Sequence, residues 1–288
     1  MEQNDLLLRL QQRFPSLSKG QKQIASYIIE NYDRAAFVTA SKMGRSVGVS
    51  ESTVVRFAYT MGFDGYPALQ RALQEMIRTK LTAMQRIQLT SELDQADVLK
   101  SVLKADMHNI RTTIETISNT AFNGAMDALL NKETIYIVGL RSAFPIAQFL
   151  AYNLNFICTG VILINGAFSD ACEQMARISE RDVCIAISYP RYSTRTVDAL
   201  QYAKERGATT IALTDSEASP LAQFADFALT ARSDMASFAD SLVAPLSLIN
   251  AIIVSAGLAR KDQLMEHFSK LERIWNANQV YVNKQKAK

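Results

Sequence analysis

From residue 133 onward the chain changes period, and that change sets most of what it can fold into. Short apolar and β-branched runs at Ile135–Val138, Val161–Ile164, Val183–Ile187, 209–213 and Phe227–Thr230 alternate with stretches of helical spacing. A strand that is apolar on both faces must be covered on both faces. Helices above and below a parallel sheet are the usual solution. The pattern predicts a doubly wound α/β domain, with a ligand crevice at the carboxyl ends of its strands.

Residues 3–80 read instead as helices only. Leu6, Leu7 and Leu10 have helical spacing, and so do Ile24, Tyr27, Ile28 and Tyr32. Residues 39–57, Thr-Ala-Ser-Lys-Met-Gly-Arg-Ser-Val-Gly-Val-Ser-Glu-Ser-Thr-Val-Val-Arg-Phe, predict two short helices joined by a tight turn at Gly48. Ser50 can cap the second helix by accepting from an orphan N–H of its first turn. At roughly 100° per residue, Val54, Phe57, Ala58 and Met61 share one side. Ser52, Arg56 and Tyr59 share the other, where they can enter a major groove and offer hydrogen-bond donors. The other reading of such a hairpin is a packing unit with a solvated outer face.

The stretch continues as Met61-Gly62-Phe63-Asp64-Gly65-Tyr66, with a helix from Pro67. The motifs Gly48-Val49-Ser50, Thr53-Val54, Arg56-Phe57, Gly62-Phe63 and Gly65-Tyr66 resemble the N-terminal domain of the RpiR/MurR-type bacterial transcriptional regulators. The resemblance implies a DNA-binding helix-turn-helix head, with Ser50, Ser52, Thr53, Arg56 and Tyr59 at double-stranded operator DNA. Gly44 departs from the family's usual Ala in the first helix of the motif, and is expected to cost about 0.5–1 kcal/mol of helix stability.

Charge is spread unevenly. Of 31 Lys and Arg and 28 Asp and Glu, residues 1–90 hold 12 and 7 (+5), which leaves 19 and 21 (−2) for residues 91–288. A basic head beside a mildly acidic body suits nucleic-acid binding joined to ligand binding. Cys158, Cys172 and Cys184 have no metal-ligand spacing and read as buried free thiols in a reducing cytoplasm. No metal and no cofactor is expected. The apolar run 242–259, broken by Pro245, Ser247, Asn250, Ser255 and Gly257, reads as a buried or subunit-interface helix rather than a membrane span. The expected organisation is a head over 1–80, a helical connector over 81–124 and an α/β body over 125–288. Within the connector, Val98, Val102, Leu103, Met107, Ile110 and Ile114 predict an amphipathic packing helix over 95–117.

Two strand-end loops are rich in hydroxyls. The first strand runs into Gly139-Leu140-Arg141-Ser142, and the third into Ser188-Tyr189-Pro190-Arg191-Tyr192-Ser193. Loops of this kind that feed helix N-termini make anion sites, to which Ser142, Ser188 and Ser193 can add donors. Residues 125–260 resemble a sugar isomerase (SIS) domain, the phosphosugar-binding module of the same regulator family. On the family's pattern Ser142 matches the first-loop serine, Ser188 leads the second loop, and Ser193 replaces its threonine. Arg141 stands where many members have a small residue, and Pro190-Arg191 replaces Ser-Gly. Each arginine brings a planar fork suited to carboxylate or phosphate. The alternative is that both point to solvent or pair with acids such as Asp170.

The expected protein is a regulator, homodimeric or homotetrameric, that senses a small anionic metabolite, a phosphosugar or sugar acid, and controls carbohydrate-metabolism genes. The alternative is a sugar-phosphate isomerase-type enzyme. Its best base would be Glu173, since His108 and His267 lie outside the strand-end loops.

Overall fold

The computed structural model describes residues 5–77, 84, 86–87, 98–166, 169–234 and 239–282. Part of the expected connector, 81–83, 85 and 88–97, lies outside the described residues, as do 78–80 of the head. The chain divides into two compact units, with a boundary between Ser101 and Val102.

The first unit is helical. Its helices are α1 (Asp5–Arg13), α2 (Lys19–Glu30), α3 (Tyr32–Ala35), α4 (Ala40–Val47), α5 (Glu51–Thr60) and α6 (Tyr66–Ile77). They enclose one apolar cluster that includes Leu10, Ile24, Ile28, Met43, Phe57, Met61, Leu69 and Leu73. At about 1.5–3 kcal/mol for each large apolar side chain, that burial is what holds six short helices together. Hydrogen bonds lock the helix starts. Ser18 and Gln21 form a reciprocal capping box on α2, and Thr39 caps α4 by accepting from the Lys42 N–H. Three side chains of α6 stitch it to the α3–α4 connection. Tyr66 and Gln70 both donate to the Val38 carbonyl, and Gln74 donates to that of Ala36.

In the second unit come α7 (Val98–Thr116, entering from the first unit), α8 (Asn119–Asn131), β1 (Ile135–Val138), α9 (Phe144–Ile157), β2 (Val161–Ile164) and α10 (Ala171–Gln174). There follow β3 (Val183–Ile187), α11 (Thr194–Glu205), β4 (Thr209–Thr214), β5 (Phe227–Thr230), α12 (Val243–Ala259) and α13 (Lys261–Ala277). The sheet is parallel throughout, in the order β2-β1-β3-β4-β5. All five runs named from sequence are strands. β4 extends one residue further, because Thr214 pairs with Thr230.

Alternate residues of β1, β3 and β4 feed two separate cores. Ile135, Ile137, Val183, Ile185, Ile211 and Leu213 pack with α8, α9 and α12. Tyr136, Val138, Cys184, Ala186 and Ala212 pack with α10 and α11. Among the described residues no single helix is long and apolar enough to cross a membrane. α12 instead buries Ala244, Leu248, Ile249, Ile252 and Ala256 and exposes Val254 and Leu258.

The structure corrects three expectations. Cys158 and Cys184 are buried, but Cys172 is only partly so. Burial pushes the Cys184 thiol up to about 12. The second correction concerns α7, which packs the wrong way round for an amphipathic helix. Its buried residues are Asn109 and Thr113, while Leu99, Leu103, Met107 and Ile114 are 72%, 54%, 69% and 71% exposed. The reason lies in polar anchors: Asn109 exchanges two hydrogen bonds with the Asp234 backbone, and Thr113 Oγ1 accepts from the Arg232 N–H.

The third correction is Gly44. A Cβ there would stand 2.7 Å from the Val49 carbonyl oxygen and 3.4 Å from the Glu51 nitrogen. The turn after α4 folds back over this position, through Gly48 at φ 74° and a bond from the Val49 N–H to the Gly44 carbonyl. Propensity alone makes Gly44→Ala stabilising; the close backbone approach reverses the sign. Gly44→Ala is expected to lower stability by about 1–3 kcal/mol, read as a lower urea midpoint at unchanged slope. A raised midpoint would show that the turn gives way freely.

Candidate functional site

Two surfaces carry the residues singled out from sequence, one on each unit. On the head, α5 is capped by Ser50, whose hydroxyl accepts from the Thr53 N–H at 3.3 Å. Val54, Phe57 and Ala58 turn inward and are buried, as is Met61 just past the helix. Ser52, Arg56 and Tyr59 are exposed. The cap engages part of this set: Ser50 Oγ lies 2.9 Å from both Ser52 Oγ and Thr53 Oγ1. Thr53 is half-buried. Its methyl lies 3.5 Å from the position a Cβ would take on Gly20, so the start of α2 sits beside the start of α5. Sequence reasoning passed over this neighbour. Among the described residues the Arg56 side chain makes no hydrogen bond or ion pair, so its donors face outward unspent.

On the body, β1 and β3 are neighbours, with Val138 opposite Ala186, so the loops that leave them open at the same edge of the sheet. The first loop passes through a 3-10 turn at Arg141–Ala143 into α9. Arg141 and Ser142 are exposed. The second loop begins at Ser188, which is buried and extends the ladder by donating its N–H to the Leu213 carbonyl. Its hydroxyl oxygen accepts from the Ser193 N–H at 3.1 Å and closes the loop on itself. The hydroxyl proton is left to be donated.

Ser193 is the N-cap of α11, yet its side chain makes no capping bond. Thr196 Oγ1, in the first turn of the same helix, is buried without a hydrogen-bond partner. Tyr192 donates to Asp215 Oδ1 at 2.7 Å and ties the loop to the end of β4, where Thr214 Oγ1 lies 3.3 Å from the same oxygen. Tyr192, Thr196 and Asp215 were absent from the sequence-derived set. Asp215, directly after an apolar strand, is the one that carried a readable signal.

Both arginines sit in the left-handed region, Arg141 at φ 58° and Arg191 at φ 62°. That conformation costs a residue with a Cβ about 1 kcal/mol or more. Neither side chain makes a hydrogen bond or ion pair among the described residues, and neither pairs with Asp170. Asp170 is occupied as the cap of α10, accepting from the Cys172 N–H at 3.1 Å. The two loops thus carry backbone N–H groups, hydroxyls and two exposed arginines that make no hydrogen bond or ion pair among the described residues. That is chemistry for holding an anion with several oxygens. Glu173 is exposed on α10, His108 lies on α7 and His267 on α13.

A helical head with this turn, followed along the chain by a five-stranded parallel body of this order, is the architecture of a helix-turn-helix regulator with a SIS body. Residues 4–80 match the helix-turn-helix domain of the rpiR family, and residues 128–255 match the SIS domain. The chain belongs to the RpiR-type transcriptional regulators. An uncharacterised HTH-type transcriptional regulator of Caldanaerobacter subterraneus is 26% identical over 96% of this chain and 99% of its own length. HexR of Pseudomonas aeruginosa is 22% identical over 93% and 94%. The sugar isomerase domain of an RpiR transcription factor from Sphaerobacter thermophilus superposes with TM-score 0.59 at 26% identity, over 62% of this chain and 99% of that one. Vibrio vulnificus NanR, solved with ManNAc-6P, superposes with TM-score 0.58 at 23% identity, over 96% and 100%; at that identity the likeness speaks for the fold alone.

The backbone at Arg191 carries its own test. Replacing it with glycine relieves the left-handed strain but loosens the unfolded chain. Arg191→Gly is expected to gain about 0.5–1 kcal/mol in chemical denaturation. A loss of stability would mean that Arg191 makes a contact that holds the loop.

Proposed function

We propose that this regulator senses a small anionic metabolite, a phosphosugar or related sugar acid, in the crevice between the β1 and β3 loops. Its binding alters how α5 meets double-stranded operator DNA of carbohydrate-metabolism genes. The reading rests on one observation above others: two adjacent strand-end loops each hold an unpaired arginine in a conformation that costs stability. Strain of this kind persists where function requires it. The phosphosugar named with NanR fits the same chemistry, and the arginines extend it to a wider or more carboxylate-rich ligand.

The relatives named above are regulators, and we read this chain as one that senses without catalysing. Glu173, the best-placed base, is exposed rather than enclosed over the crevice. Regulation would run through a cytoplasmic homodimer or homotetramer, because one short helix reads too few bases and half-sites are paired.

The DNA contact is tested at Arg56. Arg56→Ala is expected to lose about 1–3 kcal/mol of operator binding in a fluorescence titration, with relaxed preference among operator variants. An equal loss on all sequences would make Arg56 a phosphate contact. Unchanged binding would remove α5 as the reading helix.

The effector site is tested by calorimetry against a panel of sugar phosphates and sugar acids. Ser188→Leu should abolish binding, and Arg191→Gly should weaken it by about 1.5–3 kcal/mol, the worth of a charge-assisted bond. Wild-type binding by both variants would place the site elsewhere. Loss with Ser188→Leu alone would make the arginines bystanders.

A further inference from the structure

The inverted packing of α7 leaves its largest apolar side chains on the outside. Leu103, Met107, Ile110 and Ile114 are spaced four, three and four residues apart. That is the a/d spacing of a two-stranded coiled coil, with Leu103 and Ile110 at d and Met107 and Ile114 at a. Leu103, Met107 and Ile114 are more than half exposed. A stripe of this kind on a fixed helix marks an interaction surface. The helix is fixed: Asn109 and Thr113 are hydrogen-bonded to residues 232–234, and Ser241 Oγ donates to Asp106. Of these anchors Asn109 lies roughly 130° round the helix from the centre of the stripe, Thr113 about 90° and Asp106 about 70°. Asp106 is on the stripe's flank, with only its Oδ1 taken by Ser241 among the described residues. The body thus holds α7 by its polar side and presents the apolar side rigidly.

The spacing selects another helix as the occupant, and the flanking charges select which. Asp106 falls at g, and Lys104 and Arg111 fall at e. In a parallel pair, g of one helix faces e of the other five residues on, which sets Asp106 against Arg111 of a second copy. An antiparallel pair would set the basic e residues against each other. We propose that the outward seam of α7 pairs in parallel with the α7 seam of a second copy of this chain. The proposal rests on the homo-oligomer reading above and names the surface that makes it. It also bears on DNA binding. The chain enters α7 from the head at the helix's N-terminal end, so a parallel seam brings both chains out at one end, as paired half-sites require. Lys100, at the next a position, weakens the seam where the chain passes to the head.

The test uses the full chain. Met107→Cys places two thiols at facing a positions, within disulfide reach in a parallel pair. Glu115→Cys, at an exposed position off the seam, and Val254→Cys, on the exposed face of α12, are the comparisons. The wild-type chain sets the background from its own thiols. On mild oxidation Met107→Cys should form a covalent dimer about ten-fold faster than either comparison, and Met107→Glu should raise the dimer dissociation constant about ten-fold or more with helix content unchanged. A chain that sediments as a dimer but cross-links at 254 and not at 107 overturns the seam and leaves the oligomer reading standing. A chain that sediments as a monomer at micromolar concentration overturns both. Neither result touches anion binding in the crevice, which calorimetry reads separately.

Discussion

The body depends on one topological fact: β1 and β3 lie side by side, but the helices that follow them leave on opposite faces of the sheet. α9 packs on the side of Ile135 and Ile137, and α11 on the side of Tyr136 and Val138. The two loops must part at the sheet edge, and parting opens a crevice there. No side chain is needed to make it. Strict burial of both faces of β1 and β3 enforces it, because shifting either strand by one residue would send its apolar set into the wrong core.

What the side chains add is shape and charge at that opening. The Ser188 hydroxyl closes the second loop, Tyr192 fastens it to Asp215, and the backbone turns through a left-handed residue at Arg191. A glycine would make the same turn at lower cost. An arginine there gives up some stability and, on the proposed reading, supplies a five-donor fork to the anion; Arg141 repeats the left-handed backbone on the first loop. The head is built on the opposite balance. Its cap, turn and core are well satisfied, and the strongest outward donor on α5, Arg56, is left free.

Much of this was legible in the sequence, for reasons that also explain what was not. Short, β-branched apolar runs of four or five residues marked the strands, since a doubly covered sheet uses them and a helix needs a longer run, as at α12; only Thr214, a polar end residue held by its ladder partner, escaped. The inward and outward faces of α5 followed from helical period and the Ser50 cap. Period failed at α7. It shows where apolar residues lie on a helix, but not which side packs, and buried Asn109 reversed the answer through backbone partners more than a hundred residues away. Gly44 failed for a related reason. Helix propensity is local, whereas the Val49 carbonyl that crowds it arrives with the turn. In the crevice, the loops and their hydroxyls could be read in order. The left-handed backbone at the two arginines and the buried, unpartnered Thr196 hydroxyl could not, because they arise from loop closure.

The central claim is that crevice and head are energetically linked, and linkage is reciprocal for binding. The direct measurement is the affinity of the full chain for a sugar phosphate that calorimetry finds it to bind, taken with and without saturating operator DNA. The account predicts a change of about five-fold or more, matched by an equal factor in operator affinity when the ligand is saturating. Identical ligand affinities in the two conditions would contradict it, since a ligand that binds both states equally shifts neither.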